Sequence, residues 1–160
     1  MLVALDGSVF GETALPTALE LARGLDAPIV LFQAVAGPSA LPYAVPTELE
    51  TSETLDVELA WEPSYAIREA RAYLQLQADR LAGDAHGVPI QTEVRVGALA
   101  AALRLDPPAP RPSLIVMATH GRRGLGRLLV GSTTADVVRS IDVPVVAVPA
   151  GHPCESERAA

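Results

Sequence analysis

The stretch Ala118-Thr119-His120-Gly121-Arg122-Arg123-Gly124-Leu125-Gly126-Arg127-Leu128-Leu129-Val130-Gly131-Ser132-Thr133-Thr134 carries more chemistry than any other part of the chain. Glycines at 121, 124, 126 and 131 let backbone N–H groups approach a ligand with no side chain in the way. Ser132, Thr133 and Thr134 open a helix, whose free N–H groups and positive dipole end suit an anion. Arg122, Arg123 and Arg127 place three guanidiniums within six residues of a chain that is acidic overall. Together these features make an anion site, and phosphate is the natural anion. Spacing alone also leaves plainer readings open. Glycines after a strand are ordinary turn chemistry, arginine clusters are often only solvated, and Ser132 can be no more than an N-cap. Neither common nucleotide fingerprint is present: there is no G-x-G-x-x-G, and no lysine to complete a P-loop.

The other candidate is Asp6, in Asp6-Gly7-Ser8. One carboxylate with no partner histidine or second acid at a readable spacing is weak evidence for a general base. Such an Asp more often binds a ligand or metal, or caps a helix. His120 suits hydrogen bonding to a ligand and turn stabilisation about equally. His86, beside Gly87 at a helix end, reads as an exposed polar residue. His152 and Cys154 offer too few ligands for a metal site. Ser132 lacks the strand–turn–helix setting of a nucleophile elbow. Trp61 reads as a partly buried aromatic or as a lid or contact residue. No catalytic residue and no metal ligand is therefore assigned.

These residues are positioned by short apolar runs that alternate with amphipathic stretches. Leu2-Val3-Ala4-Leu5 predicts a buried strand ending at Asp6, and Ser8 is placed to cap a helix from about Phe10 to Leu25. Pro16 inside that helix predicts a kink or a late-starting regular segment. Ile29 to Val35 is a second strand, and residues 37–62, with three prolines and an acidic run from Glu48 to Glu58, read as a long irregular connection. A helix follows from Pro63 to about Ala85, with Ile67, Ala70, Leu74, Ala78 and Leu81 on one face. Ile90 to Val96 is a strand, Ala98 to Leu105 a short helix, and the proline-rich stretch from Asp106 to Pro112 cannot be helical. Leu114 to Ala118 is the fourth strand, Ser132 to Ser140 a helix, and Val143 to Val148 the last strand. Five strands separated by about four helices predict a doubly wound α/β fold, a parallel sheet covered on both faces. In such sheets ligands sit beyond the carboxyl ends of the strands, where strand order reverses. That nominates Asp6-Gly7-Ser8 and the loop from Thr119 onward.

The composition bounds what the chain does. Its 160 residues suit one domain, and with 49 % hydrophobic against 19 % charged residues it has material for a core. No apolar run reaches membrane-span length. Asp6 arrives too early for a signal peptide, and a single cysteine excludes a disulfide framework, so a cytoplasmic protein is expected. All 12 basic residues are Arg, with no Lys and no Asn. Schiff-base chemistry, a P-loop lysine and the lysine of a receiver domain are thereby excluded. The net charge of −7 argues against broad nucleic-acid binding.

Ala118-Thr119-His120-Gly121, nine residues, then Gly131-Ser132 resembles the universal stress protein family, whose ATP-binding members carry glycine, two residues, glycine, nine residues, then glycine and Ser or Thr. Val3-Ala4-Leu5-Asp6-Gly7-Ser8 is similar to the family's opening strand and its Asp. Ala14 to Ala22 resembles its first helix and Val143 to Val148 its last strand. The resemblance covers residues 1–35 and 88–149 in order. It implies a five-stranded Rossmann-like sheet of order 3-2-1-4-5 and an ATP site, with Mg²⁺ as a possible companion of the triphosphate. Asp6 would accept from base or ribose donors, with Ala4 and Ala34 near the adenine. Met117, Ala118, Thr119, His120, Gly121, Arg122 and Arg123 would line the ribose and phosphates, and Gly131, Ser132, Thr133 and Thr134 would hold the triphosphate. The pattern's first glycine is Ala118 here, a methyl expected to be tolerated.

The last strand, at an edge of the sheet, would expose unpaired backbone groups. Pairing with the same strand of a second copy covers them, and the resemblance implies such a homodimer through Val143 to Val148. The expected protein is an ATP-binding, dimeric regulatory module of the stress response, with residues 1–149 as its domain, 150–160 as a flexible tail, and a protein partner that the sequence does not identify. Two other readings stand beside it. One is a slow ATP hydrolase or adenylate-transferring enzyme on the same fold. The other is a nucleotide-free dimeric interaction protein.

Overall fold

Leu2–Leu5 is apolar at every position, and as strand β1 it is buried on both faces at the centre of the sheet. A computed structural model describes residues 1–35, 37, 63–119 and 131–150. The predicted helix from Phe10 to Leu25 is two helices, α1 (Val9–Glu12) and α2 (Ala14–Leu25), divided at Thr13. Pro16 is the reason: it is the third residue of α2, in the first turn, where an N–H has no intrahelical partner and its absence costs nothing. Strand β2 (Ile29–Val35) follows, then α3 (Pro63–Ala82), β3 (Ile90–Val96) and α4 (Leu99–Leu105). Strand β4 (Ile115–Thr119), α5 (Ser132–Ser140) and β5 (Val145–Pro149) complete the described elements. Helix α3 stops three residues earlier than its sequence suggests. The turn after it needs positive φ at His86 and Gly87, which a helix cannot supply. Strand β5 begins at Val145 rather than Val143, because Pro144 has no N–H for the ladder; its carbonyl still accepts from Ile115 N at 3.0 Å.

All strand pairs are parallel and the order is β3-β2-β1-β4-β5, as the resemblance implied. Strand alternation sorts the apolar residues onto two faces. Val3, Leu5, Ile29, Leu31 and Val116 pack beneath α2 and α3, against Leu15, Ala18, Leu19, Leu74 and Ala78. Leu2, Ala4, Phe32, Ile115 and Met117 pack beneath α4 and α5, against Ala102, Leu103 and Val137. Phe32 is fully buried there, and such burial stabilises by about 1.5–3 kcal/mol. The order reverses between β1 and β4, so the crevice beyond their carboxyl ends lies at the switch point. Helix α5 runs back against the strands. Its last residue, Ser140, and the Ile141 that follows it line the same cavity as Ile115, at the start of β4. Its N-terminus therefore lies on the side where β4 ends.

Candidate functional site

Asp6 follows β1 directly, at the switch point, and is exposed. Its Oδ1 accepts from Ser8 N at 3.0 Å and from the Ser8 hydroxyl at 2.6 Å. Ser8 caps α1 as its residue type suggests: the hydroxyl oxygen accepts from Gly11 N at 3.0 Å. One hydroxyl thus joins the helix start to the carboxylate, and no described residue hydrogen-bonds Oδ2. Gly7 makes the turn possible with φ +81°. Gly11 is a residue the sequence reading passed over. A Cβ there would lie 2.5 Å from Asp6 Oδ1, so the carboxylate rests against the bare Cα.

Ala4, Ala34 and Met117 lie on one face of the sheet, the face that α5 covers. Ala4 pairs in register with Phe32 on one side and Met117 on the other. Thr119, two residues beyond Met117, alternates onto the same face. Ala118 sits in regular β4 and packs against the opposite cluster, beneath α2 and α3. Among described non-glycine residues, positive φ occurs only at Asp26 and His86, so the backbone at Ala118 does not require a glycine. Its methyl points away from Met117.

Helix α5 begins with Gly131 as N-cap, at φ −54° and ψ 153°, and no side chain caps it. The first-turn N–H groups of Ser132, Thr133 and Thr134 lack intrahelical partners, and the N-cap residue offers them no side chain. Ser132 and Thr133 are exposed, whereas the Thr134 side chain is buried. The expected ligand residues His120, Gly121, Arg122 and Arg123 lie outside the described residues. So do Trp61, His152, Cys154, nearly all of the 37–62 connection and the tail after Ala150. The structure thus brings Asp6, Ala4, Ala34, Met117, Thr119 and the α5 N-terminus to the carboxyl end of β1 and β4, and directs Ala118 elsewhere.

Two further polar groups stand near Asp6. Glu12 Oε1 accepts from Gln77 Nε2 at 2.8 Å, a bond from α1 to α3 that spans 65 residues. The Tyr73 hydroxyl, one turn before Gln77, is buried beside the Glu12 carboxylate. Desolvation, then the Glu12 and Asp6 carboxylates, raise its pKa above the ordinary phenol value. His86 is exposed at its turn, with Nδ1 2.9 Å from Arg23 Nη2. Among the described residues no group of three or more His, Cys, Asp or Glu is placed to hold a metal. No described helix is long and apolar enough to cross a membrane. A cavity of about 170 Å³, lined by Leu103, Arg104, Arg111, Ile115 and Val143, lies at the opposite, amino end of β4, away from Asp6.

With this geometry in view, the profile of the universal stress protein family matches residues 1–149. The chain belongs to the universal stress protein family. A universal stress protein of Mycolicibacterium smegmatis is 31 % identical over 148 residues, which cover 92 % of this chain and 47 % of that protein. The chain thus spans about half the length of this curated relative. Among solved structures, a universal stress protein in complex with cAMP is 23 % identical. It has a TM-score of 0.61, with 94 % of this chain and 95 % of that one covered. The universal stress protein from Archaeoglobus fulgidus in complex with dAMP is 17 % identical. Its TM-score is 0.59, with 92 % and 94 % covered. These likenesses show the fold, and the two related structures hold adenine nucleotides.

Proposed function

We propose that this universal stress protein binds ATP in the crevice beyond β1 and β4, and acts as a nucleotide-dependent regulatory module of the stress response. The observation that carries the reading is the α5 N-terminus. It has no side-chain cap, and it opens at the carboxyl end of the face that holds Ala4, Ala34 and Met117. The residues fit the group. The first-turn N–H groups of Ser132, Thr133 and Thr134, with the helix dipole, suit a triphosphate. The exposed Ser132 and Thr133 hydroxyls add donors, while Thr134 offers its backbone N–H. Ala4 and Ala34 leave room for a flat base, Met117 gives it an apolar contact, and Asp6 Oδ2 accepts one adenosine donor. Thr119, His120, Gly121, Arg122 and Arg123 continue the site along the loop after β4, and bound Mg²⁺ would share the phosphate charge. The solved relatives with cAMP and dAMP support an adenine nucleotide.

A homodimer forms, in this reading, through the strand over Val143 to Val148. Strand β5 is an edge of the sheet, and two-fold pairing would satisfy its outer backbone groups. ATP binding would change the affinity for a protein partner. We place the protein in the cytoplasm, where ATP is abundant. The test is mass spectrometry of ligand released from protein purified without added nucleotide, with ATP titration calorimetry. Adenine nucleotide near one per chain, or saturable ATP binding, supports the reading. No released nucleotide and no heat at millimolar ATP overturns it.

A further inference from the structure

Helix α1 has only four residues, and of these only Gly11 is buried. Val9 and Phe10 are 77 % and 45 % exposed. Apolar burial therefore does little to fix where α1 sits, although it touches Asp6 twice: through the Ser8 hydroxyl that bonds both, and through the bare Gly11 Cα. At its other end Glu12 accepts from Gln77. Gln77 is 3 % exposed on α3, whose neighbouring Leu74 and Ala78 are rooted in the core beneath that helix. A hydrogen bond from a buried carboxamide to a half-buried carboxylate is charge-assisted and partly shielded from water, which favours a fixed geometry.

We propose that Gln77 is a positioning residue for the nucleotide site: by holding Glu12 it sets α1, and through Gly11 and Ser8 it sets the Asp6 carboxylate that reads adenosine. The inference rests on the ATP reading above. Asp6 Oδ1 is occupied by both Ser8 donors, so the direction of Oδ2 follows α1. A shift of α1 misdirects that one acceptor and leaves the α5 N-terminus, which faces the phosphates from another element, where it is. The signature is lost discrimination among nucleotides that differ at the base or ribose, with triphosphate binding retained.

The experiment is titration calorimetry of the full chain with ATP, ITP, which lacks the amino donor, and 2′-deoxy-ATP, which lacks one ribose hydroxyl. Asp6→Asn identifies the analogue that reports on Asp6, because its affinity ratio to ATP flattens. Gln77→Met, which keeps length and volume but removes the donor, should lower that same ratio about three- to tenfold. Glu12→Ala removes the other partner from a half-buried position and should do the same, so the proposal stays testable if Gln77→Met does not fold. The exchanged pair Glu12→Gln with Gln77→Glu restores a bond of reversed polarity and should restore the ratio. If Gln77→Met and Glu12→Ala keep the wild-type ratio while Asp6→Asn flattens it, the inference falls and the ATP reading stands. An equal loss for ATP and both analogues shows a merely structural role and also overturns it. If Asp6→Asn changes no ratio, the placement of adenosine and the inference fall together.

Discussion

Replacing Gly11 with alanine is the sharpest probe of how Asp6 is held. The added Cβ would stand 2.5 Å from Asp6 Oδ1 and 3.4 Å from its Cγ, well inside the ~3.5 Å at which non-bonded heavy atoms rest. The carboxylate has to swing by about 1 Å, the shortfall between those distances, and its Ser8 bonds lengthen or break. Hydrogen bonds to a charged group contribute about 1.5–3 kcal/mol each. Water can replace them at exposed Asp6, so the lower end applies. Alanine also favours a helix over glycine by up to about 1 kcal/mol. The net stability change is therefore small, about 0–2 kcal/mol of loss. In the proposed site affinity responds more strongly, because a displaced Oδ2 would miss its one adenosine donor. That interaction is again about 1.5–3 kcal/mol, or roughly 10- to 150-fold in Kd. Calorimetric ATP titration of Gly11→Ala, with its melting curve measured in parallel, gives both numbers. In an Asp6→Ala background the Gly11 substitution should cost no further affinity, since the group it displaces is gone. A folded Gly11→Ala protein that binds ATP within twofold of wild type would refute the reasoning.

Three other substitutions separate the parts of the site. Gly131→Asp supplies α5 with the side-chain cap it lacks, and no described residue lies within 4 Å of a Cβ there. It should raise Tm, through a cap of about 1 kcal/mol, while weakening ATP binding at least tenfold by repelling the phosphates; thermal melts and calorimetry read the two opposite signs. Ala118→Gly restores the family's glycine but removes a methyl packed beneath α2 and α3. ATP affinity should stay within twofold, and the strand should lose about 1 kcal/mol, or about 2–4 °C in Tm. Ala147→Asp puts a charge at the middle of the exposed edge strand β5, where two copies would meet across a two-fold axis. Light scattering coupled to size exclusion should show a shift from dimer to monomer, with monomer melting little changed.

Much of this protein is legible in its residues because the signals are local. Ile29 to Val35 and Ile90 to Val96 are bounded by Pro and Gly, and both strands occur where those residues place them. Ser8 declares its cap by type, and Gly131 ahead of Ser132 marks the start of α5. The split of the first helix follows from Pro16, although the break at Thr13 shows only once the N-cap is seen to divide α1 from α2. The glycines and arginines from Gly121 to Arg127 lead the sequence to expect an anion, and they lie outside the described residues.

Only the tertiary structure decides which face each strand residue meets, because register is set by partners far away in the chain. Parallel pairing puts Ala4 beside Met117 and turns Ala118 to the other face, so the departure from the family pattern at Ala118 lies away from Met117. The contact of Gly11 with Asp6 depends on how α1 folds back over the end of β1. The bond from Gln77 to Glu12 joins residues 65 apart, and no spacing rule reaches that far. Local propensity determines the elements; packing determines which side chains hold the Asp6 carboxylate.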